Sequence, residues 1–237
     1  MESISSMVIF NDHHYLLANK PPAIPVQEDQ SGDVSLHRML QAYCKHDLYL
    51  IHRIDRPVSG SVLFAKTTEA QQSLVKQIES GDFKKTYLAI VPKSEIVSEG
   101  TMEDFLVHDT RHHKSRIAEK DAHAGKKAVL DYKIIESLDR YQLMEINTRS
   151  GRFHQIRSQL AARGIPIFGD VKYGARRGNP DRSIGLHAWK IAWLHHSQKT
   201  KLTFRANVPQ DGLWSKFATL QESIKPTFKD YNESGEA

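Results

Sequence analysis

One aspartate lies within a short segment whose residue types suit acid–base or covalent chemistry. The segment HRIDRPVSG spans residues 52–60 and places Asp55 two positions after Arg53 and three after His52. If residues 48–54 form a strand, alternate side chains share a face, and Arg53 and Asp55 would lie together. A carboxylate beside a cation stays ionised, as a nucleophile or an electrostatic stabiliser must. Taken alone, the segment favours an ordinary surface ion pair before a turn.

A second candidate is the basic segment RSGRFHQIRSQLAARG at residues 149–164. Small residues in a turn let a ligand approach the backbone, and a helix that begins there directs its amides at an anion. On a helix over about residues 153–163, His154 and Arg157 share a face. One arginine of this set could pair with Asp55 while others hold phosphates. An amphipathic helix with an exposed basic side explains the segment equally well.

The third candidate is a tyrosine within the apolar segment FKKTYLAIV, residues 83–91. A tyrosine on a strand usually packs in the core or pairs with a neighbouring strand. The phenol of Tyr87 could also stack on a nucleobase and supply a polar oxygen for proton transfer. Without other information, the structural role of Tyr87 is the favoured one.

Motifs for metal or nucleotide chemistry are missing from the sequence. The histidines of the central segment do not have the spacing of a tetrahedral metal site, and neither cysteine pairs nor HExxH occur. These histidines are His108, His112, His113 and His123. GxGxxG, P-loop and GxSxG motifs are also absent. We therefore expect neither a metal nor a nucleotide cofactor.

The surrounding elements predict an α+β fold with a largely antiparallel sheet. Apolar residues mostly alternate with period two, and most of the expected strands are joined as hairpins. The polar residues 100–127 predict no defined element. Helices are expected at residues 35–43, 68–80, 153–163 and 211–223. The second of these should bury Ala70, Leu74, Val75 and Ile78, and the last carries the apolar residues Leu213, Phe217 and Leu220. We expect one domain over residues 1–237, with its motifs in about 8–208 and a disordered tail at about 226–237.

Charge and cysteine content favour a polyanion partner in a reducing compartment. The 237 residues carry a net charge of +5, and residues 149–182 contain eight Arg or Lys against two Asp. A second cluster at 111–127 contains six against two. Such clusters are typical of nucleic-acid binding. A single cysteine and the lack of an export signal or an apolar span predict a cytoplasmic protein without a membrane segment.

Together, these segments resemble the RluA family of pseudouridine synthases. The family pattern is HRLD-x-x-TSG, K-x-Y, and RTGR-x-HQIR followed by G-x-P-I-x-GD. Here the order is HRIDRPVSG, KTY at 85–87, RSGRFHQIR at 149–157 and GIPIFGD at 164–170. KPPAIPVQ near the start and GLHAWKIAWLHH at 185–196 resemble further family motifs. The departures, which leave every residue assigned to catalysis in place, are Ala23, Ile54, Val58 and Ser150.

The resemblance implies an isomerase that needs no cofactor and no metal. The N-glycosidic bond of a uridine is broken, the uracil turns, and its C5 is joined to the sugar. Asp55 would act on the sugar or on the base, with Arg157 paired to it. Tyr87 would stack on the uracil, and Arg53 could fill the gap left by the extruded base.

The implied partner is structured RNA, such as a stem-loop of ribosomal or transfer RNA. Because the first family motif begins at about residue 8, no small N-terminal RNA-binding domain is expected, and the catalytic domain itself would recognise the target. Neither an obligate dimer nor an obligate protein partner is expected. The residues predicted to contact RNA are His52, Arg53, Lys114, Arg116, Lys126, Lys127, Arg149, Arg152 and His154.

The sequence also allows two other functions. A non-catalytic RNA-binding or chaperone-like protein could use the same domain, although phosphate binding needs neither Asp55 nor Tyr87. A carboxylate-dependent glycoside hydrolase would need a second acid as proton donor near Asp55. The nearest acids in sequence, Asp47 and Glu69, lie in unpromising contexts.

Overall fold

The protein is built around one large mixed sheet with few helices, as the α+β prediction requires. The computed structural model describes residues 3–118 and 125–222. The strands of these ranges are β1 Val8–Asn11, β2 Tyr15–Lys20, β3 Tyr49–Leu50, β4 Ser59–Ala65, β5 Lys84–Pro92, β6 Glu99–Asp109, β7 Lys114–Ala118, β8 Lys126–Ser137, β9 Tyr141–Thr148, β10 Leu186–Leu194 and β11 Lys201–Arg205. The helices are α1 Ile4–Met7, α2 Leu36–Cys44, α3 Thr68–Ser80, α4 Gln155–Ala162 and α5 Ala218–Glu222, with 3₁₀ turns at Val171–Tyr173 and Trp214–Lys216.

The strands form a sheet in the order β1–β2–β4–β10–β5–β9–β8–β6–β7, with β3 added to β4 and β11 to β10. All the described strand pairs are antiparallel except β4–β10. Hairpins join β1 to β2, β8 to β9 and β10 to β11, as the alternating pattern predicted. Because antiparallel neighbours need only short connections, a sheet of this kind follows from local pairing.

Both faces of the central strands are covered. Phe64 and Tyr87 belong to the apolar cluster on one face, whereas Leu63 and Trp193 belong to the cluster on the other. Adjacent residues such as Leu63 and Phe64 point to opposite faces, so a fully buried β4 serves two cores at once. Helices α2 and α4 cover the face that contains Tyr87, and the same face carries the candidate site.

The parallel pairing of β4 with β10 depends on a glycine. Gly60 has φ +114°, and a Cβ at this position would overlap the backbone carbonyl of Ala188 on β10. On either side of Gly60, Ser59 Oγ lies 2.8 Å from His187 Nδ1, and Ser61 Oγ donates to the Ala188 carbonyl at 2.9 Å. The start of β4 (residues 59–61) and the start of β10 (residues 186–188) are therefore bound directly to each other. This contact fixes where β4 begins.

Helices α2 and α3 begin and end close to their predicted bounds. Ser35 caps α2, and the side chain of Thr67 accepts a hydrogen bond from the Ala70 amide at the start of α3. The prediction that Val75 and Ile78 are buried on α3 is wrong, since they are 43% and 42% exposed. Gln77 is buried in their place, and it exchanges hydrogen bonds with the backbone of Leu194.

Three other expectations about elements are wrong. The polar segment 100–127 contains β6, β7 and the start of β8, because inter-strand pairing outweighs its low hydrophobicity. The strand predicted to reach Ile54 is only β3, Tyr49–Leu50. The helix expected from Asp211 is a 3₁₀ turn followed by the short α5, although Phe217 and Leu220 are buried as predicted.

Parts of the sequence predictions fall outside the described residues. These are His123, residue 223 of the expected final helix and the tail at about 226–237. Among the described helices, none combines the length and the apolar character needed to cross a membrane.

Candidate active site

Asp55 lies in a turn between β3 and β4 and not on a strand. The Val58 amide donates to the Asp55 carbonyl at 3.0 Å, which closes the turn after the aspartate. The Pro57 carbonyl accepts from the Ile184 amide at 3.1 Å, so this turn is also tied to the segment before β10. Asp55 is therefore presented by a turn just before β4, and not by a strand.

A buried lysine holds this turn from the other side. Lys20, at the end of β2, is fully buried, and its ammonium donates to the carbonyls of Pro21, Ile24 and Arg56 at 2.9, 2.9 and 3.1 Å. Burial lowers the pKa of Lys20 to about 7, against the opposing attraction of the Asp55 charge. The KPPAIPVQ motif thus acts as a support for the Asp55 turn.

The cation that pairs with Asp55 is Arg157, as predicted for the second segment. Arg157 Nη1 donates to Asp55 Oδ2 at 2.9 Å. Its Nε and Nη2 donate to the two carboxylate oxygens of Asp170 at 2.7 and 2.8 Å. Burial opposes the charge of Arg157, but the bonds to Asp170 and the charge of Asp55 outweigh burial and raise its pKa. Arg157 is therefore a fixed cation aimed at Asp55 by Asp170.

Helix α4 differs from the amphipathic helix that the sequence also allowed. Every residue from Gln155 to Leu160 is buried, so α4 has no exposed basic side at these positions. His154 precedes the helix with φ +50° and does not cap it through its side chain. Gln155 instead binds the RSGR turn, accepting from Ser150 Oγ at 2.8 Å and from the Arg152 amide at 3.1 Å. These bonds hold the turn against the start of α4.

His154 is a neutral member of the same cluster. Its Nε2 lies 3.5 Å from Asp55 Oδ2, and its Nδ1 lies 2.9 Å from the hydroxyl of Tyr173. Burial, followed by the charge of Arg157, lowers the pKa of His154 to about 3. Burial raises the pKa of Tyr173 to about 12, and its oxygen already accepts from the Ser115 amide. When the phenol donates its proton to Nδ1, the remaining His154 proton is on Nε2, facing Asp55.

Tyr87 forms a wall of the site from strand β5. It is paired with Ile146 of β9 and Ala188 of β10, and its side chain is buried. Burial and then the charge of Asp55 raise the pKa of Tyr87, so the phenol keeps its proton at neutral pH. The structure thus brings Asp55, Tyr87 and Arg157 together from segments far apart in sequence.

These side chains line a cleft of about 330 Å³, within the size range of small-molecule sites. Its lining includes Asp55, Tyr87, Arg157, Lys85, Phe153 and His154. Arg157 also lies 4.9 Å from the centre of the Tyr173 ring. A buried ion pair, a neutral imidazole and a protonated phenol therefore surround one open cavity. Such a cavity can hold a planar polar ring next to a carboxylate.

The predicted RNA-binding residues divide into groups with different surroundings. Arg53 and Arg152 are exposed and line the cleft. Arg149 makes a bidentate ion pair with Asp131 at 2.6 and 2.8 Å, and Lys127 pairs with Glu103 at 2.8 Å. Neither Arg149 nor Lys127 lines the cleft.

His52 lines the cleft but has a structural contact of its own. Its Nε2 accepts the Leu63 amide at 3.1 Å, and burial lowers its pKa to about 3. A neutral ring that accepts at Nε2 is no cation for phosphate.

The basic cluster at residues 111–127 is partly an ordered hairpin. Strand β7 pairs with β6, and it docks on the site through Ser115, whose amide donates to the Tyr173 hydroxyl at 2.7 Å. Lys114 lies 5.8 Å from the centre of the Tyr173 ring. Arg116, in the middle of β7, and Lys126, at the start of β8, are exposed. The hairpin therefore carries cations next to the site on a paired backbone.

Three residues of the site were not predicted from the sequence. Asp170 is the last residue of the GIPIFGD motif, Tyr173 follows it by three residues, and Lys85 is the lysine of KTY. Their places in or beside the motifs were visible signals, but the contacts to Arg157 and the cleft were not. Across residues 3–118 and 125–222, no three His, Cys, Asp or Glu side chains form a group that could hold a metal ion.

Comparison with known proteins gives a consistent result. Residues 14–162 match the family model described as RNA pseudouridylate synthase. The chain is 30% identical to ribosomal large subunit pseudouridine synthase D of Xylella fastidiosa, over 91% of this chain and 69% of that protein. It is 28% identical to tRNA pseudouridine synthase C of Pasteurella multocida, over 87% of this chain and 93% of that protein.

A solved structure supports the same fold. The human RNA pseudouridylate synthase domain containing 4 superposes with a TM-score of 0.71, covering 87% of this chain and 90% of that chain at 20% identity. The family match extends over more than half of the chain, from His14 near the start of β2 to Ala162 at the end of α4, and it contains Asp55, Tyr87 and Arg157. The chain therefore belongs to the RNA pseudouridylate synthase family.

Proposed function

We propose that this protein converts a uridine of ribosomal or transfer RNA into pseudouridine, with Asp55 as the catalytic carboxylate and without a cofactor. The observation that carries the proposal is the ion pair of Asp55 with the buried Arg157, at 2.9 Å, in a cleft walled by Tyr87. The names of the two bacterial relatives support the two RNA classes.

The reaction is an isomerisation whose atoms and electrons balance within the substrate. The bond from C1′ to N1 breaks and a bond from C1′ to C5 forms. C5 loses a proton and N1 gains one. A carboxylate suits this chemistry because it can act on the sugar or on the ring and then leave unchanged. No oxidant or reductant is needed.

Each residue of the cluster has a distinct task in this proposal. Arg157, locked by Asp170, keeps the Asp55 carboxylate in one orientation, so that little reorganisation is needed during the reaction. The neutral His154 presents an N–H toward Asp55 from the other side. Tyr87 stacks on the uracil, and its protonated hydroxyl is available to the base as a hydrogen-bond donor.

The cations around the cleft bind the RNA backbone. Removing a base from its stack costs a few kcal/mol, which phosphate contacts offset. Arg53 and Arg152 line the cleft, and Lys114 lies beside Tyr173. A uridine in a loop is already partly unstacked, so a stem-loop is the target we propose. A cytoplasmic monomer is the state we propose for the enzyme, in keeping with its single cysteine.

The geometry also bears on the alternative of a glycoside hydrolase. Such an enzyme needs a second acid free to donate a proton near Asp55. The nearest acid in the cluster is Asp170, and both of its oxygens accept from Arg157 while its side chain is 1% exposed. Asp170 is thus engaged as a partner of Arg157, which favours the isomerase.

The test is a map of pseudouridine in ribosomal and transfer RNA from cells with and without the gene, followed by assays of purified Asp55→Asn. This change is isosteric and removes only the charge and the nucleophile. We expect turnover to be lost while the fold is retained and RNA binding persists or tightens. Asp47→Asn, on the exposed loop before β3, is the matched control and should be fully active. Pseudouridine formation by Asp55→Asn would overturn the assignment.

A further inference from the structure

Lys85 is a cation of the cleft for which the described residues supply no counter-charge. It lies on β5 two residues before Tyr87, so the two side chains share a face of the strand. Lys85 lines the cleft and is half-buried. Although its backbone belongs to the sheet, its ammonium makes no hydrogen bond and no ion pair with any residue of the described ranges.

The neighbouring polar groups of the cleft do not compensate this charge. Of the residues that line the cleft, Asp55 is the only acid, and it is engaged by Arg157. His52 accepts at Nε2 from the Leu63 amide, so its proton is on Nδ1, which is buried without a partner. Thr148 Oγ1 is also buried without a partner. His52 Nδ1 is thus a second donor that lacks an acceptor in this part of the cleft.

A glycine keeps the ammonium accessible. A Cβ built on Gly151, in the RSGR turn, would lie 3.6 Å from Lys85 Nζ. Larger side chains at this position would cover the ammonium. Burial lowers the pKa of Lys85, and no neighbouring charge opposes this effect. Among the described residues, nothing offsets the cost of this partly desolvated cation, and an external anion would do so.

We propose that Lys85 binds a phosphate of the RNA chain next to the target uridine, through the opening beside Gly151. This proposal rests on the function proposed above and specifies how the cleft holds its substrate. Side chains two residues apart on a strand are about 7 Å apart. A uracil stacked on Tyr87 therefore brings its own sugar and adjoining phosphate toward Lys85. In this arrangement Lys85 fixes the nucleotide, whereas Asp55 does the chemistry.

The first experiment measures RNA binding in the Asp55→Asn background, where no turnover occurs. The probe is a short single-stranded RNA with one central uridine. Lys85→Met keeps the length of the side chain and removes the charge. We expect Kd to rise about 10-fold, and the slope of log affinity against log salt to become shallower by about 0.7. Lys84→Met is the matched control, because Lys84 is exposed on the opposite face of β5 and does not line the cleft.

A second experiment identifies the phosphate. The linkage on the 5′ or the 3′ side of the central uridine is replaced by a neutral methylphosphonate. At one of the two linkages, the replacement should weaken binding to the Lys85 protein about 10-fold and leave binding to Lys85→Met unchanged. Equal losses in both proteins at both linkages would overturn the proposal, as would identical salt slopes for Lys85→Met and Lys84→Met.

The Tm of the variants and the pseudouridine assay test whether Lys85 has a structural role instead, and whether the proposed function itself fails. Because Lys85 is a partly desolvated cation that pairs with no described residue, Lys85→Met should keep or raise Tm, and a lower Tm would contradict the argument. Gly151→Val should reproduce the binding defect by covering the ammonium.

The proposed function and this inference can fail separately. If the wild-type protein forms no pseudouridine in any RNA, the proposed function fails. The salt dependence of binding and the methylphosphonate comparison still decide whether Lys85 binds phosphate.

Discussion

The buried bond between Arg157 and Asp170 predicts a large effect of an isosteric change at Asp170. Asp170→Asn keeps the volume but removes the charge and turns one acceptor oxygen into a donor that faces the guanidinium N–H groups. Both partners are nearly inaccessible, with side chains 5% and 1% exposed. Breaking a buried ion pair on one side costs about 3–5 kcal/mol. For a protein of this size, that cost corresponds to a fall in Tm of about 6–20 °C.

The matched control is Asp131→Asn. Asp131 holds Arg149 in the same bidentate geometry, at 2.6 and 2.8 Å, but with side chains 32% and 63% exposed. Exposed pairs contribute about 0–1 kcal/mol, so Asp131→Asn should shift Tm by only a few degrees. Thermal and urea unfolding of both variants give the comparison. If the two variants lose similar stability, burial is not what makes the Asp170 pair important.

Activity adds a second measure for the same variant. Release of tritium from RNA labelled at uridine C5 reports turnover, and the assay is run well below the Tm of the variant. We expect the turnover rate of Asp170→Asn to fall at least about 10-fold, because Arg157 loses the partner that aims it at Asp55. The double variant Arg157→Met with Asp170→Leu should regain stability, since an apolar pair can replace a buried ion pair, but not activity. Full activity of Asp170→Asn would refute the positioning role.

Two further predictions concern the base and the RNA backbone. Tyr87→Phe keeps the stacking surface and should lower turnover strongly with little change in Kd, whereas Tyr87→Leu should add a binding defect of about 1–3 kcal/mol; a fully active Tyr87→Phe would show that the hydroxyl has no chemical role. Neutralising Lys114 and Arg116 on β7 should make the salt slope of RNA binding shallower by about 0.7–0.9 for each lost phosphate contact, with turnover of bound RNA little changed. Lys127→Gln is the control, because Lys127 is paired with Glu103, and a larger effect there than on β7 would contradict the assignment of the hairpin.

The hairpins and capped helices were predictable because their causes are local. The β8–β9 and β10–β11 hairpins follow from alternating apolar residues, and α2 follows from Ser35 as a cap. The β6–β7 hairpin was not predictable in this way. Its residues are polar, and its stability comes from pairing with β8 and from the contact of Ser115 with Tyr173. Such pairing depends on partners that only the folded chain supplies.

The burial of side chains on α3 and α4 also could not be predicted from the sequence pattern alone. The apolar spacing of α3 included Val75 and Ile78, but both are exposed, and Gln77 is buried because Leu194 offers it backbone partners. On α4, the segment Gln155–Leu160 contains four polar or charged residues and two apolar ones, yet all six are buried. Periodicity describes which residues share a face, not how much of the helix the rest of the protein covers.

The sequence by itself determined the family and the α+β class, and it singled out Asp55, Tyr87 and Arg157 as the candidate catalytic residues, because their motifs occur together and in order. The tertiary structure decided which cation holds Asp55, and it is Arg157 and not the neighbouring Arg53. It also decided that Asp170 aims Arg157 and that Lys85 stands unpaired among the described residues of the cleft. These relations join residues far apart in the chain, and ion-pair geometry and burial depend on distances that exist only after folding.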